Sequence, residues 1–465
     1  MRGSHLKNQL KILYVNAVDV TSPLERGSGS LAFGYLTSSV RAKLGATKCL
    51  FRVVDSGIPE ALDSWEPDLV AISAVTQNYG YAVEAAVAAR ERGVPVVIGG
   101  IHVSMLPECL NPAMTVAVIG EGERTFVELV TVLLEEGRLD RPEVLSKIRG
   151  IAYWEGERIV HTEPAPLIVP LDKIDHPARD LSVSGSSAIL VSSRGCPYRC
   201  VFCCSSRYWG RMRLFSAEYV VEEMRSLVER YRLNRLTLFD DLFVWDRDRL
   251  RQIVQRFEAD SIFRNVSITC TIRAELVDDE LATLLKRLRV DVVGAGLESG
   301  SERVLQYLKG PKASVEQNRR AVEILRKHGI GTEASFVIGS PEETADDARQ
   351  TVQFIKDVPL RGFMIHVLTP FPGTPLWDEA AEKGIVSAQM DWTKLRPDVL
   401  NERKRDVILA EQMSYEEVKE FFDEINRLRV SNARRRWCST MMKKLLRQPH
   451  KVAAGVVRRA FARAP

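Results

Sequence analysis

Four of the chain's eight cysteines lie within nine positions, in the stretch SSRGCPYRCVFCC at residues 192–204. The other four (Cys49, Cys109, Cys270 and Cys438) stand singly. Thiolates are soft ligands, and crowding them points to an iron–sulfur cluster or to zinc. Structural zinc usually closes its site with four ligands from close CxxC-type pairs. Here Cys196, Cys200 and Cys203 are spaced by four and then three, with no second pair or Cys/His partner at a suitable distance. A cluster closed by thiolates alone would need a fourth. Cys204 directly follows Cys203, and adjacent side chains in a tight loop diverge, so Cys204 reads as a packing thiol or, if both reach, as that fourth ligand. Three ligands leave one iron open to a small molecule.

Such a loop needs a scaffold that presents it at one end. The cysteines follow AILVSS, a strand-like run, so they sit in a loop at a strand's C-terminal end. Five further runs come after it: RLTLFD, VSITCTI, VDVVGAGLE, GTEASFVIG and GFMIHVLTP. Helical stretches such as SAEYVVEEMRSLVERY and SVEQNRRAVEILRKHG separate them. Six units suit a partial (β/α)6 barrel, whose sites gather at the C-terminal ends of the strands. In VSITCTIR, Ser267, Thr269, Thr271 and Arg273 share one face, while Val266, Ile268, Cys270 and Ile272 share the other. The polar row reads as the wall of an open, ligand-holding lumen, or else as a solvent-facing edge.

Cys-x-x-x-Cys-x-x-Cys after a first barrel strand resembles the radical SAM enzymes, and the likeness extends over roughly residues 185–385. Phe202 stands where that family places an aromatic beside the adenine of S-adenosylmethionine (SAM). AGLESGSERVL at 295–305 is similar to the family's fourth-strand segment, with Glu298 at the position that contacts SAM. SFVIGSPEET at 335–344 is similar to the fifth-strand segment, which puts Ile338 and Gly339 near the adenine. The resemblance implies a [4Fe-4S] cluster on Cys196, Cys200 and Cys203, SAM on the open iron, and a 5′-deoxyadenosyl radical generated inside an enclosed lumen. Asp240, followed by Asp241 at the end of RLTLFD, reads as a SAM or substrate contact, or as the N-cap of the next helix. Arg273 reads as a partner for the SAM carboxylate or a lumen acid, or as half of a structural ion pair.

The first 150 residues carry a different pattern. KILYVN, CLFRVV, DLVAISAV, VPVVIGG and TVAVIG are apolar on both faces and alternate with helical stretches, among them LAFGYLTSSVRAKL, YGYAVEAAVAARERG and EGERTFVELVTVLLEEG. That alternation predicts a parallel sheet covered on both sides, an open doubly wound, Rossmann-like domain. Gly99 and Gly100 end a central strand, where parallel sheets bind ligands beyond their strand ends. With His102 just behind, and with Gly120 and Glu121 in AVIGEGERTF, the segment resembles the cobalamin-binding domain that precedes many radical SAM cores. One departure is plain. Members that supply a lower axial histidine carry Asp-x-His-x-x-Gly after the first strand, and here NAVDVTSPLERGSGS has no histidine. His102 reads as a residue lining the cleft, or as that axial ligand, and the resemblance implies cobalamin held without a protein histidine.

The expected organisation is a cobalamin-binding domain over 9–145, a hairpin (IAYWEGERIVHT) and proline-rich linker over 146–184, the barrel over 185–385, and a helical region with a basic tail over 386–465. The opening MRGSH is set aside as an expression remnant, and the start lacks the apolar core of a secretory signal. At 465 residues, 45% hydrophobic and 27% charged, the chain has ample material for two cores. Ten Lys and Arg and no acid lie in residues 434–465, so the net charge of +4 becomes −6 without that segment. The basic character belongs to the tail, which argues against a nucleic-acid-binding body. MMKKLLRQPHKVAAGVVRRAFARA, broken at Pro449, reads as an amphipathic helix for an anionic membrane or RNA, or as a solvated terminus.

The expected activity is methyl transfer to an unactivated carbon with methylcobalamin as donor. A radical cyclisation, ring contraction or C–C coupling with the same cofactors is the alternative, and a non-enzymatic cobalamin or redox sensor a further one. A tRNA methylthiotransferase would carry three more cluster cysteines in its first domain, where residues 1–150 have only Cys49 and Cys109. Expected partners are a small-molecule or lipid-like substrate, an external electron donor of flavodoxin or ferredoxin type, and peripheral membrane contact through the tail. The expected location is the cytoplasm, with the tail at the inner membrane face.

Overall fold

The computed structural model describes residues 8–21, 31–181, 186–400 and 407–447. Two parallel sheets dominate it. The first contains β1 (Leu10–Ala17), β2 (Cys49–Val54), β3 (Leu69–Ala74), β4 (Val96–Gly99), β5 (Val116–Val118), β6 (Ile151–Glu155) and β7 (Arg158–His161), in the order β2-β1-β3-β4-β5-β6-β7. β1 to β5 run parallel, and β6 and β7 are antiparallel additions. The Val-, Ile- and Ala-rich strands are buried on both faces. One face packs under α1 (Leu31–Leu44) and α3 (Gly122–Glu136), the other under α2 (Tyr79–Glu91) through Ala82, Ala85, Ala86 and Ala89. This is the doubly wound arrangement. The hairpin of β6 and β7, read from sequence as part of the linker, instead pairs with β5 and widens this sheet.

The second sheet has six strands: β8 (Ser187–Leu190), β9 (Arg235–Leu238), β10 (Ser267–Ile272), β11 (Val290–Glu298), β12 (Gly331–Ile338) and β13 (Gly362–Val367). All neighbours are parallel and follow sequence order, which makes an open (β/α)6 barrel. Five of its helices start on a polar cap that accepts a backbone N–H: Ser216, Asp246, Asp278, Ser314 and Thr344. The cap after β9 is therefore Asp246, not Asp240. In β10 the alternation is as expected, with Ile268, Cys270 and Ile272 buried towards the helices and Ser267, Thr269 and Thr271 half-buried on the other face.

The C-terminal region is woven into both units. Trp377, Trp392, Leu395 and Leu409 join the apolar core on the α2 side of the first sheet. The long helix α4 (Tyr415–Arg447) then sets Val418, Phe422 and Ile425 into the barrel core beside β13. Pro449 and the remaining tail, 448–465, lie outside the described residues, as do residues 22–30 of the loop after β1.

Candidate cofactor and active site

The cysteine loop leaves the barrel after β8, and a two-residue antiparallel pairing of Ser193–Arg194 with Arg213–Leu214 closes its base. Residues 195–212 therefore form a loop pinned at its neck. Cys196 and Cys200 are half-buried and Cys203 is exposed. Arg273, at the end of β10, donates from Nη1 to Cys200 Sγ at 3.3 Å and from Nη2 to the Lys309 carbonyl at 3.3 Å. Its guanidinium stacks on the Tyr198 ring at 3.7 Å and pairs with Glu275 at 2.9 Å. Of the two sequence readings of Arg273, the structure shows the ion pair, and it adds a contact with the Cys200 thiol. Cys204 begins the short helix Ser205–Tyr208 by accepting through its carbonyl from Arg207 N and Tyr208 N. Among the described residues no three His, Cys, Asp or Glu side chains form a group that could hold one metal ion, so the three thiols are not drawn together as a mononuclear centre would draw them.

Glu298 ends β11 with a left-handed backbone, φ 59°, at a register irregularity against β12. Its carboxyl lies over Gly296, in the space that a side chain at that position would enter. Burial pushes the Glu298 carboxyl up, opposed by the charges of Lys309 and Arg273. Ile338 ends β12 and Gly339 follows it; Gly339 has φ +89° and donates its N–H to Glu343, as does Ser340. Phe202 is half-buried and packs with Val201 and Phe371 on the core shared with the first domain.

Asp240 is not the helix cap that one of its sequence readings made it. It is buried and accepts from Ser192 N at 2.8 Å, Ser192 Oγ at 3.1 Å and Ser193 Oγ at 2.5 Å, so it braces the start of the cysteine loop. Burial raises its carboxyl despite those bonds and the nearby Arg249. Its neighbour Asp241 accepts from Ser205 Oγ at 2.6 Å and faces the cavity between the units.

That cavity has a volume of about 380 Å³. Ser73, Gly99, Gly100 and Gly120 form its floor at the C-terminal ends of β3, β4 and β5, where doubly wound sheets bind ligands. Ser193, Arg194, Trp209, Phe239 and Asp241 from the barrel form its roof. Phe239 is 64% exposed and presents its ring to the cavity. Gly120 has φ +79° and open space where a side chain would stand, which suits close approach of a flat group to the backbone. Gly100 is different. At φ +106° its Cβ would fall 2.6 Å from the Ala74 carbonyl, so this glycine is required by the packing of β3 against β4. Gly99 faces Val118 and the cavity.

Two further expectations need correction. His102 does not line the cleft: it is fully buried, with Nδ1 3.2 Å from Thr76 Oγ1 and its ring between Tyr79 and Trp392 at 4.2 and 4.6 Å. Burial pushes its pKa down to about 3, so it is a neutral core residue. Glu121 lines the cavity wall, but its carboxylate is already occupied. Oε1 accepts from Arg194 Nη1 at 2.6 Å, and Oε2 accepts from Arg213 Nη1 at 2.9 Å and Ile168 N at 3.1 Å. Burial would raise Glu121, but the two guanidinia outweigh it and hold the carboxyl below its usual range. Glu123 also accepts from Arg194. Arg194 and Arg213 escaped the sequence reading because nothing local marks a residue whose partner lies in another domain.

A doubly wound domain facing the cysteine loop of a six-stranded barrel across one cavity defines a two-cofactor enzyme. The glycine-lined floor fits a large planar ligand, and the thiol loop with its Arg273 donor fits a cluster. Family models agree with both halves: the radical SAM superfamily matches residues 190–355 and the B12 binding domain residues 51–130. An uncharacterised methyltransferase of Pyrococcus horikoshii is 32% identical over 385 residues, covering 78% of this chain and 81% of the relative. An anaerobic magnesium-protoporphyrin IX monomethyl ester cyclase of Rubrivivax gelatinosus is 28% identical over 342 residues, covering 70% of this chain and 60% of that one. Among solved structures, the radical SAM methyltransferase TsrM of Kitasatospora setae, with cobalamin and a [4Fe-4S] cluster bound, superposes with a TM-score of 0.67 at 23% identity, covering 81% of this chain and 75% of that one. The chain belongs to the cobalamin-binding radical SAM enzymes, and its cofactors are a [4Fe-4S] cluster, SAM and cobalamin.

Proposed function

We propose that the protein is a C-methyltransferase that places a methyl group on an unactivated carbon of a small-molecule substrate. The observation that carries this reading is a cavity walled by both units, because a methyl donor and a hydrogen-abstracting centre must meet one substrate. When bound, the cluster with SAM supplies hydrogen-atom abstraction and cobalamin supplies the methyl group. The chain's own residues do the rest. Cys196, Cys200 and Cys203 hold the cluster, with Arg273 beside the Cys200 thiolate. Phe202, Glu298, Ile338 and Gly339 hold SAM on the lumen side. Gly99 and Gly120 let cobalamin lie against the strand ends, with no histidine beneath it. Ser267, Thr269 and Thr271 give the lumen a polar wall on which a substrate can be oriented.

The relative from Rubrivivax gelatinosus supports a second reading, radical cyclisation with the same cofactors. Anaerobic turnover with SAM carrying a trideuterated methyl group separates them. Methyl transfer puts three deuterons in the product; cyclisation leaves the product unlabelled. Cluster reduction calls on an external donor of flavodoxin or ferredoxin type. Among the described residues no helix is long and apolar enough to cross a membrane, so membrane contact would be peripheral and would run through the tail.

A further inference from the structure

We infer that Glu121 is a positioning residue that pins the cobalamin-side loop of the first domain to the neck of the cysteine loop, and so sets how the two cofactor sites face each other. The geometry is specific. Arg194 and Arg213 are directly opposite each other in the two-residue ladder that closes residues 195–212. Like charges directly opposite in an antiparallel pair repel. One carboxylate from the other domain sits on both, with Oε1 to Arg194 at 2.6 Å and Oε2 to Arg213 at 2.9 Å.

All three side chains are no more than 6% exposed, so the charges are little screened and depend on one another. The same Oε2 accepts from Ile168 N, whose carbonyl in turn accepts from Arg213 Nη1. Glu121 is followed immediately by α3 and preceded by Gly120, the open glycine of the cavity floor. Gly120 O accepts from Tyr208 OH at 3.2 Å, a second tie from the same barrel loop. Arg194 stands two residues before Cys196. The bonds therefore run from the cavity floor to the first cluster cysteine in very few steps, and the neck of the loop is neutralised only when the two domains are docked.

The inference deepens the methyl-transfer reading but its first test does not depend on it. In the full-length chain without cofactors, hydrogen–deuterium exchange is followed over residues 192–214 in the wild type, Glu121→Gln, Arg213→Gln and the double variant. Glu121→Gln leaves Arg213 without a carboxylate and Arg194 with Glu123 alone, so the bridge between the two opposed guanidinia is lost and exchange there should rise at least about tenfold while β10 to β12 stay protected. Removing one guanidinium as well should restore much of that protection, a non-additive result that simple loss of packing does not give.

The second readout is the ratio of methylated product to 5′-deoxyadenosine in the reconstituted enzyme. Glu121→Gln should lower that ratio several-fold with cluster iron and bound cobalamin unchanged. Unaltered exchange in Glu121→Gln, additive effects in the double variant, or an unchanged product ratio with an opened neck would overturn the assignment. A wild type that forms no methylated product would instead count against the methyl-transfer reading, leaving the exchange result to stand alone.

Discussion

Arg273 illustrates how much a single side chain does at this site. Its guanidinium meets a thiol, a carbonyl, a carboxylate and an aromatic face, which fixes the end of β10 against the cysteine loop. On the proposed assignment three of the four clustered cysteines hold the cluster and the fourth does not. Alanine at Cys196, Cys200 or Cys203 should abolish SAM cleavage and lower the iron content of anaerobically reconstituted protein. Cys204→Ala should keep the cluster, because Cys204 shapes the loop through its carbonyl. Iron analysis and EPR on the four variants check this. His102 makes a prediction of opposite character. Its ordinary value is 6.5, and burial pushes it down to about 3 in the folded chain. The unfolded chain therefore takes up the proton first. Stability that is fully present above about pH 6.5 is lost as pH falls towards 3, by up to about 1.4 kcal/mol per pH unit from this group. In His102→Leu, urea titrations between pH 4 and 6 should show a shallower loss, and the spectrum of bound cobalamin should match the wild type. A changed axial signature would return His102 to the ligand sphere.

At the level of elements, strand ends carry the site, and glycines at those ends differ in what they do. Gly100→Ala should destabilise the fold by about 2–3 kcal/mol, since its Cβ meets the Ala74 carbonyl and the backbone is left-handed. Gly120→Ala carries only the backbone penalty of about 1 kcal/mol, but its methyl enters the cavity, so cobalamin affinity should fall about tenfold or more. Thermal unfolding and equilibrium cobalamin binding separate the two. The positions of the six barrel strands and of the doubly wound sheet were legible in the sequence, because apolar runs and the two-residue period of β10 are local signals. The thiol loop was legible for the same reason. What escaped was set by distant contacts. Asp240 and Asp241 are neighbours, and only the twist at the end of β9 decides that the first turns to Ser192 and the second to the cavity. His102 follows a glycine pair that suggests a cleft, yet Trp392, nearly three hundred residues on, covers it. Glu121 reads as a ligand contact until the two arginines of the barrel are seen on it.

The whole molecule is two ligand-binding units closed over one space, with the C-terminal region packed against both. The start of α4 belongs to the barrel, since Val418, Phe422 and Ile425 are buried there, while the ten basic residues of the tail begin only at Arg434. Cutting the chain after residue 433 should therefore leave the barrel and its cluster intact. The same cut should remove any binding to anionic vesicles, and in the full-length protein that binding should weaken as salt rises. Co-sedimentation of both forms with vesicles checks it, and equal pelleting of the two would make the tail a solvated terminus. The central claim is that the first domain and the barrel act on one methyl group. The most direct test needs no knowledge of the substrate: full-length protein, reconstituted anaerobically with cluster and cobalamin, is reduced and given SAM with a trideuterated methyl group. The account predicts that cobalamin extracted from the protein carries the labelled methyl. Cobalamin that stays unlabelled while SAM is cleaved to 5′-deoxyadenosine would contradict it.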